Sequence, residues 1–340
     1  MSAASIFDRS LQRFVTCVMF ACLPALACAD EAHDLLRRMN AALAERNYDG
    51  TFTHVRGNVA ENLRIVHRYK NGRTSERLVS LDGSGRDFIR HGNELVCYLP
   101  DQQTVLFERR AQARGLLESV PAPDETTEAF YQTPAVESVR LLGRRAHLVS
   151  LMPRDGFRYG YRVWIDDRTY MPLKTELCDD RGRVLERMTF TSLTLPREIP
   201  DSAFEPSVDA TGYKQARHEP HVEHDGSSAN NAPAAAWVAR QLPPGFKLTQ
   251  RGSQAFPGSG GPVSHLVFSD GIASVSVFIG GRGAQAALPP TTEAQVGAAS
   301  AFAKDVEGHP VTVVGEVPAR TVRFIGSGVG RAAGGPSGGH

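Results

Sequence analysis

Hydrophobic residues recur along this chain at two different spacings. Between residues 31 and 46 they return every third or fourth position, as at Leu36, Met39 and Leu43. That spacing is typical of an amphipathic helix. From residue 48 to 195 the period shortens to two, which is typical of β-strands. The pattern therefore predicts one helix followed by a long run of antiparallel strands.

Turn residues divide this run into separate strands. Asn71-Gly72 predicts a two-residue hairpin, since both positions tolerate a positive φ, and Gly92-Asn93 and Asp180-Arg181-Gly182 are further turns. The predicted strands are residues 48–56, 63–70, 73–81, 87–91, 94–99, 103–109, 136–142, 146–153, 159–166, 173–179 and 184–195.

Residues 110–135 interrupt the alternation with prolines and acidic side chains. They predict a lid or mobile loop, with short helices at 115–120 and 125–131. Because both faces of several strands carry apolar residues, we expect helix 31–46 and this segment to cover part of the second face. Two interpretations stay open. The sheet has an ordinary two-layer core, or its concave side stays partly empty for an apolar ligand.

A polar, His-rich stretch at residues 211–233 predicts a linker to a second domain. We expect a helix at 234–242, hairpins across Asp270-Gly271 and Glu307-Gly308, a helix from Pro318, and a disordered Gly-rich tail at 326–340. The linker also contains three histidines spaced by three. Their spacing would suit a metal ion on a helix, but a proline between them favours a solvated connector, so no metal site is predicted. Those residues are His218, His221 and His224.

Residues 1–29 predict an export signal rather than part of the fold. An arginine-containing start is followed by an apolar run and by the small-residue cleavage site Ala27-Cys28-Ala29. Cys28 also allows a lipid anchor, although Ala25 stands where a lipobox usually has leucine. The exported chain retains Cys97 and Cys178, for which unpaired thiols are favoured over a disulfide.

Charge and motifs narrow the classes of function. The formal net charge of +1 argues against a nucleic-acid partner, which needs a basic surface. The predicted elements contain neither a G-x-S-x-G nucleophile elbow between a strand and a helix nor an H-E-x-x-H zinc helix. We therefore expect no enzyme activity and no cofactor.

Eight segments, spread over both predicted domains, carry a resemblance to the RseB/MucB family. They are residues 48–52 (YDGTF), 65–68 (IVHR), 77–83 (RLVSLDG), 97–101 (CYLPD), 153–162 (PRDGFRYGYR), 173–176 (LKTE), 242–246 (LPPGF) and 311–318 (VTVVGEVP).

The resemblance implies an α+β fold: a LolA-like half-open antiparallel β-barrel with a helical lid, plus a smaller α+β C-terminal domain. The corresponding division is a signal peptide at 1–29, a lipid-sensing domain at 30–210, a linker at 211–233, a partner-binding domain at 234–325 and a tail at 326–340. It also implies a periplasmic regulator of sigma-E (AlgU) that binds the periplasmic part of an RseA/MucA-type anti-sigma factor. Binding would shield that factor from proteolysis, and lipid or lipopolysaccharide fragments would release it.

Candidate residues follow from that expected architecture. The candidates for a lipid cavity are Phe52, Tyr98, Phe107, Tyr161, Trp164 and Phe190. The candidates for partner binding are Trp237, Phe246 and Phe268. Core packing is an open alternative for Tyr161, Trp164, Trp237 and Phe246. A LolA-like carrier of lipid or lipoprotein is the main rival function, a hydrolase of envelope polymers is a weaker one, and a homo-oligomer is compatible with the sequence.

Overall fold

The structure, a computed structural model, describes residues 23–109, 115–117, 120, 127–218, 237–255, 261–284 and 292–332. Within these residues it has a 13-stranded sheet, a six-stranded sheet and a two-stranded sheet. The large sheet and helix α1 (Leu23–Glu45) form one domain, and the two small sheets and helix α2 (Ala319–Gly328) form the other. The predicted α+β fold with a large and a smaller domain is confirmed.

The large sheet uses thirteen strands in a mostly sequential order. They are β1 (Tyr48–Arg56), β2 (Val59–Lys70), β3 (Arg73–Ser80), β4 (Asp87–His91), β5 (Glu94–Leu99), β6 (Thr104–Arg109), β7 (Tyr131–Gln132), β8 (Glu137–Leu141), β9 (Arg144–Pro153), β10 (Gly160–Asp166), β11 (Pro172–Cys178), β12 (Val184–Thr194) and β13 (Lys214–His218). They pair in the order β13-β6-β5-β4-β3-β2-β1-β12-β11-β10-β9-β7, with β8 on β9. All these pairings are antiparallel except β13 with β6, which is parallel.

Helix α1 forms because its apolar positions share one side, and that side lies against the sheet. Leu36 and Met39 are 0% and 1% exposed. After the helix ends at Glu45, Asn47 fixes the chain: its amide Nδ2 donates to the Arg197 carbonyl at 2.8 Å, and its Oδ1 accepts from the Tyr69 amide at 3.0 Å. The helix end is thereby tied to the start of the sheet.

The smaller domain is built around its own apolar core. Its six-stranded sheet contains β15 (Lys247–Ala255), β16 (Pro262–Ser269), β17 (Ser274–Ile279), β18 (Glu293–Val296), β19 (Ala299–Val306) and β20 (His309–Gly315), in the order β15-β16-β17-β20-β19-β18. A two-stranded sheet joins β14 (Trp237–Ala239) to β21 (Val329–Arg331). Helix α2 follows Pro318, which is its N-cap residue.

Predictions that rest on turn chemistry are confirmed. Asn71 and Gly72 have φ values of 54° and 73°, and Glu307 and Gly308 have φ values of 55° and 81°. Each pair joins two strands of an antiparallel hairpin, β2 to β3 and β19 to β20.

Two short predicted helices are wrong in the part of the chain that the structure describes. Residues 127–130 form a turn and Tyr131 begins β7, because its backbone pairs with Pro153 of β9. Trp237 lies in strand β14 because it pairs with Arg331, which is distant in sequence. For the predicted helix at 115–120, residues 115–117 are irregular and the rest lies outside the described residues except 120.

Two boundaries also shift. The predicted linker at 211–233 begins with strand β13, and the predicted disordered tail at 326–340 begins with the end of α2 and with β21. Gly326 of α2 lets the helix approach the sheet closely, since a Cβ there would overlap the Phe302 ring. Residues 333–340, like most of the predicted linker and signal, lie outside the described residues.

The two cysteines and the lengths of the helices can also be compared with the sequence. Cys97 and Cys178 are both buried and are not joined by a disulfide, in agreement with the favoured prediction. In the described ranges, none of the helices is both long and apolar enough to span a bilayer.

Candidate functional site

One face of the large sheet lies under helix α1, and we call it the covered face. Phe52, Ile65 and Phe190 point to it and pack with Ala42 and Leu43 of the helix. The Phe52 and Phe190 rings meet edge to face with 5.6 Å between their centroids. Two of the lipid-cavity candidates are thus packed core residues in this structure.

Gly50 makes room for this aromatic pair. A Cβ at position 50 would lie 2.7 Å from Cε1 of Phe190 and 2.8 Å from the Ser192 carbonyl oxygen. Any other side chain would therefore move the ring or the strand. The glycine of the YDGTF segment has a packing role beneath Phe190.

Strand register divides the six lipid-cavity candidates between two faces. Tyr161 pairs with Leu177, and Leu177 pairs with Glu186 of β12. Glu186, Met188 and Phe190 alternate along that strand and point to the same side, so Tyr161 lies on the covered face. Trp164 pairs with Lys174 and Thr189, and therefore points to the opposite face.

Tyr98 and Phe107 also point to the opposite face. Tyr98 pairs with Asp87, and Phe107 pairs with Val96, which pairs with Ile89. Followed through β3 into β2, both series of paired residues reach positions that alternate with the residues pointing to the covered face. The prediction that all six candidates line one cavity is therefore corrected. A cavity under helix α1 is reached by Phe52, Tyr161 and Phe190, whereas Tyr98, Phe107 and Trp164 point away from it.

A buried polar cluster interrupts the apolar covered face. Glu76 accepts hydrogen bonds from Arg90 Nε and from the Leu116 amide, each at 2.8 Å. His67 Nδ1 donates to the Arg46 carbonyl at 2.7 Å, and its ring stacks on Tyr48 with centroids 4.6 Å apart. Glu76, His67 and Arg90 are 2%, 1% and 3% exposed. The cluster therefore holds the irregular segment 115–117 against the covered face.

Burial sets the protonation of this cluster. Desolvation lowers the pKa of the His67 imidazole, and the nearby Glu76 carboxylate opposes that effect only in part. Desolvation, together with the Glu76 charge, raises the pKa of the Tyr48 hydroxyl well above its usual range. His67 and Tyr48 are accordingly neutral partners around one Glu–Arg ion pair.

On the opposite face, three cations share one carboxylate. Glu176 lies 2.8 Å from Arg162 Nη2, Lys174 Nζ and Arg187 Nε. Burial alone would raise the pKa of Glu176, but the bonds from Lys174 and Arg187 outweigh it and lower the pKa. Lys174 also sits 4.1 Å from the centroid of the Trp164 ring. This aromatic candidate belongs to a charged surface.

The three candidates for partner binding lie in the core of the smaller domain. Trp237, Phe246 and Phe268 are 3%, 4% and 3% exposed and belong to one apolar cluster. Trp237 also contacts Arg331 and His309, with distances of 4.6 and 5.1 Å to the ring centroid. The open alternative of core packing describes Trp237 and Phe246 in this structure, and a role as partner anchors stays a prediction.

Phe246 has a second neighbour, Arg158 of the larger domain. This fully buried guanidinium lies 2.9 Å from Asp270 of the smaller domain and donates to the Pro244 carbonyl at 2.6 Å. Its Cζ lies 5.3 Å from the Phe246 ring centroid and 4.7 Å from that of Phe130. We call this contact the domain junction. It crosses the boundary between the two domains through a desolvated ion pair.

Tyr131 completes the junction from the larger domain. Its hydroxyl donates to Asp270 Oδ2 at 3.3 Å, and burial, aided by the Asp270 charge, raises its pKa far above the usual range. Gly245 is needed beside it, since its φ is 84° and a Cβ there would overlap the Phe130 ring. The PPG turn of the smaller domain is therefore shaped to receive this arginine and its aromatic neighbours.

A second contact between the domains surrounds Glu186. Its carboxylate accepts from the Ala298 amide at 3.0 Å and lies 3.0 Å from Arg56 Nε and 3.3 Å from His54 Nε2. Burial favours a higher pKa for Glu186, but these donors lower it. Thr321 of α2 adds a hydrogen bond of 2.7 Å to the Phe157 carbonyl. The two domains are thus joined by several polar contacts.

Sequence reasoning did not identify Arg158 and Asp270 as a pair. Arg158 lies in the segment PRDGFRYGYR, which carries the family resemblance, and Asp270 lies in a predicted turn. A hint was present, since an arginine between aromatics in a strand-rich region needs an acidic partner if it is buried. The identity of that partner depends on how the domains meet.

Comparisons with known proteins agree with this two-domain arrangement. The MucB/RseB N-terminal domain matches residues 31–208, and the MucB/RseB C-terminal domain matches residues 231–330. The chain belongs to the MucB/RseB family.

Individual relatives cover nearly the whole chain. The sigma factor AlgU regulatory protein MucB of Pseudomonas aeruginosa is 31% identical over 89% of this chain and 92% of its own. The sigma-E factor regulatory protein RseB of Escherichia coli (strain K12) is 24% identical over 86% and 88%. The complex structure of Pseudomonas aeruginosa MucA/MucB contains a chain that is 28% identical, with a TM-score of 0.66, over 89% of this chain and 99% of that one.

Proposed function

We propose that this protein is a periplasmic regulator that binds the periplasmic region of an RseA/MucA-type anti-sigma factor and shields it from regulated proteolysis. The observation that carries the proposal is the family match over both domains, together with a 31% identical relative named as a regulator of sigma factor AlgU. A related chain has been solved in complex with MucA. The predicted export signal supports a periplasmic location, and the proposed action is binding rather than catalysis.

Beside the domain junction, Phe324 of the smaller domain and Phe157 of the larger domain form a surface that we call the seam. Phe324 of α2 is 37% exposed, and its ring lies 5.2 Å from that of Phe157 in the larger domain. Exposed aromatic rings at a seam between domains are common anchors for a peptide segment. We propose that the anti-sigma factor contacts this seam.

Isothermal titration calorimetry of the chain from Asp30 with the periplasmic region of the anti-sigma factor from the same genome tests the proposal. We expect one-to-one binding, and slower cleavage of the bound segment by an added protease. Phe324→Ala should weaken binding about tenfold because it removes an aromatic anchor. Leu142→Ala, at a 52% exposed residue of the β8–β9 hairpin, is the matched control and should bind like the wild type.

The outcomes separate the seam from the function. Loss of binding by both variants, or equal binding by both, would remove Phe324 from the interface. Absence of any binding by the wild-type chain would contradict the proposed function itself.

The buried candidate Trp237 needs a separate readout. Because Trp237 is 3% exposed, Trp237→Ala should lower the melting temperature, as expected for a core residue. Reduced affinity at an unchanged melting temperature would instead support the role of partner anchor.

We further propose that lipid or lipopolysaccharide binds at the covered face and releases the partner. Phe52, Tyr161 and Phe190 would contact the acyl chain, whose burial is favourable by about 0.8 kcal/mol per methylene. Leu116 and Leu117 pack against the cluster that contains Phe52 and Phe190, so an acyl chain would enter there only when segment 115–117 moves. The ligand promotes release if it favours the free form over the complex.

Hydrogen exchange tests this part of the mechanism. The Leu116 amide donates to the buried Glu76 carboxylate, so it should exchange slowly in the free protein. Purified lipopolysaccharide should accelerate its exchange, while the amide of Val163, in the middle of β10, should stay protected. Unchanged protection at Leu116 with bound lipopolysaccharide would remove this segment from the mechanism.

A further inference from the structure

Five strands of the large sheet place one polar row across its opposite face. Register pairs Arg68 with Ser75, Ser75 with His91, His91 with Glu94, and Glu94 with Arg109. Paired residues of adjacent strands point to the same face, so all five side chains lie side by side. The row spans β2 to β6 at the end of the sheet where two hairpins turn.

A second pair of cations extends this row toward the hairpin end. Lys70 pairs directly with Arg73 on either side of the Asn71-Gly72 turn. Like charges in a cross-strand pair repel each other. Neither side chain has a carboxylate within salt-bridge distance among the residues that the structure describes. The Asp201 carboxylate, which already pairs with Arg68, also feels the Lys70 charge, so the two positive charges of this pair are balanced only in part.

The cations of the row itself are partly neutralised. Arg68 lies 2.7 Å from Asp201, and its side chain is also held by the Ile199 carbonyl at 3.0 Å and by the Phe204 ring. Arg109 lies 3.1 Å from Glu94, but the two side chains are 69% and 67% exposed, so this pair is weak. The four cations thus face two carboxylates, and the balance is positive.

These side chains line an open surface concavity of about 950 Å³. Besides the cations, its lining offers uncharged donors: the hydroxyl of Ser75 and the side-chain amides of Asn71 and Asn93. Ser75 Oγ lies 3.1 Å from His91 Nδ1, which fixes the imidazole within the row. The site combines guanidinium, ammonium and hydroxyl donors around a polar concavity.

From this geometry we infer that the hairpin end of the opposite face is a binding site for a phosphate group. Guanidinium forks match the oxygen pairs of a phosphate, and an ammonium and a hydroxyl complete the donor set. A phosphate dianion would neutralise the repelling pair Lys70 and Arg73. The phosphate belongs to a lipid headgroup or is free in solution. This site is separate from the covered face and from the domain junction, and does not depend on the proposed function.

Two probes identify the source of the phosphate, with the full chain from Asp30. Inorganic phosphate is titrated by calorimetry in low-salt buffer. Vesicles of phosphatidylcholine containing phosphatidic acid, against plain phosphatidylcholine vesicles, are tested by co-sedimentation. Binding of free phosphate indicates a soluble ligand, whereas binding restricted to phosphatidic acid vesicles indicates a lipid headgroup. Either result supports the site, provided that the variants below behave as expected.

The test variant is Lys70→Gln/Arg73→Gln, which removes two exposed charges without touching the core. The matched control is Arg140→Gln/Arg145→Gln, another exposed cross-strand cation pair, on the β8–β9 hairpin. The test variant should bind the phosphate probe at least about tenfold more weakly, because it loses two charge-assisted contacts. The control, with the same change of net charge, should bind within about twofold of the wild type.

Two outcomes overturn the inference. One is the absence of binding to both probes by the wild-type chain. The other is equal weakening by the test and control variants, which would indicate attraction by net charge alone. Both variants should keep the wild-type melting temperature, and Arg73→Lys, which retains the charge, should restore most of the binding lost by Arg73→Gln.

Discussion

Both faces of the large sheet carry aromatic residues, but two of these residues are buried on the covered face and two are half-buried beside cations on the opposite face. On the covered face, Phe52 and Phe190 are 4% and 0% exposed and pack under helix α1. On the opposite face, Trp164 and Phe107 are only half-buried, and each ring lies beside a cation, Lys174 or Arg217. An aromatic residue on a strand becomes core or surface according to the layer that covers it.

Buried carboxylates show the same contrast. Glu76 of the covered face and Glu176 of the opposite face are 2% and 3% exposed. Arg90, the cation beside Glu76, is itself 3% exposed, whereas Lys174 and Arg187 beside Glu176 are 20% and 44% exposed. Only the first pair is cut off from water on both sides. The covered face should therefore be far less tolerant of change.

The largest expected difference concerns the aromatic residues. Phe190→Ala should lower the free energy of unfolding by about 4 kcal/mol, because it empties a fully buried site. Trp164→Ala should cost about 1 kcal/mol, mainly the lost contact with Lys174. Urea denaturation of both variants measures the two values, and equal losses would mean that the opposite face is covered as well.

The two carboxylates give the next largest difference. Glu76→Gln should destabilise the fold by about 3 kcal/mol, since Arg90 is left charged and buried. Glu176→Gln should cost about 1 kcal/mol, because its exposed cations can be hydrated. Urea midpoints at neutral pH compare the two variants. A larger loss for Glu176→Gln would reverse the proposed ranking of the faces.

Acid should affect the covered face first. The lowered pKa of His67 means that the unfolded chain takes up a proton below its usual pKa of 6.5 while the folded protein does not. Stability due to His67 is therefore present above pH 6.5 and is lost as the pH falls toward the folded pKa, by at most about 1.4 kcal/mol per pH unit. The lowered pKa of Glu176 acts in the same direction but only below about its usual value of 4.5.

His67→Gln isolates the first of these effects. Unfolding free energies measured between pH 5 and pH 7 should depend less steeply on pH in this variant than in the wild type. Half-buried His265 of the smaller domain, whose pKa is also lowered, is present in both proteins, so it cancels in the difference. Parallel curves would show that His67 does not carry the pH dependence.

The smallest expected effect is on a surface pair. Arg64 donates to both carboxylate oxygens of Asp49 at 2.9 and 2.7 Å on the opposite face, with its side chain 47% exposed. Arg64→Gln should cost less than about 1 kcal/mol, and high salt should reduce the difference further. A loss as large as that of Glu76→Gln would contradict the contrast between the faces.

Local chemistry explains which parts of the fold were predictable from the sequence. The turn at Asn71-Gly72 follows from two residues that accept a positive φ, and the strands beside it follow from alternation. Strand β14 was missed because Trp237 is extended only through its pairing with β21, at the other end of the domain. The parallel strand β13 was missed for the same reason.

The candidate site was predictable to a smaller extent. Alternation indicated that aromatics such as Phe52 and Phe190 lie in strands, but their common face depends on register between strands distant in sequence. The junction pair Arg158 and Asp270 depends on how two domains meet. The row from Arg68 to Arg109 needs five strands in register before its charges come together. Chemistry shared by distant residues is set by tertiary pairing.

Strand β13 has a consequence for solubility. It occupies the side of β6 that would otherwise present bare amide and carbonyl groups, and it places Lys214 and Arg217 at the resulting rim. Charged side chains on a terminal strand discourage other chains from stacking there, which guards against aggregation. The segment that follows the larger domain thus covers the edge of the large sheet and protects that edge from pairing with other chains.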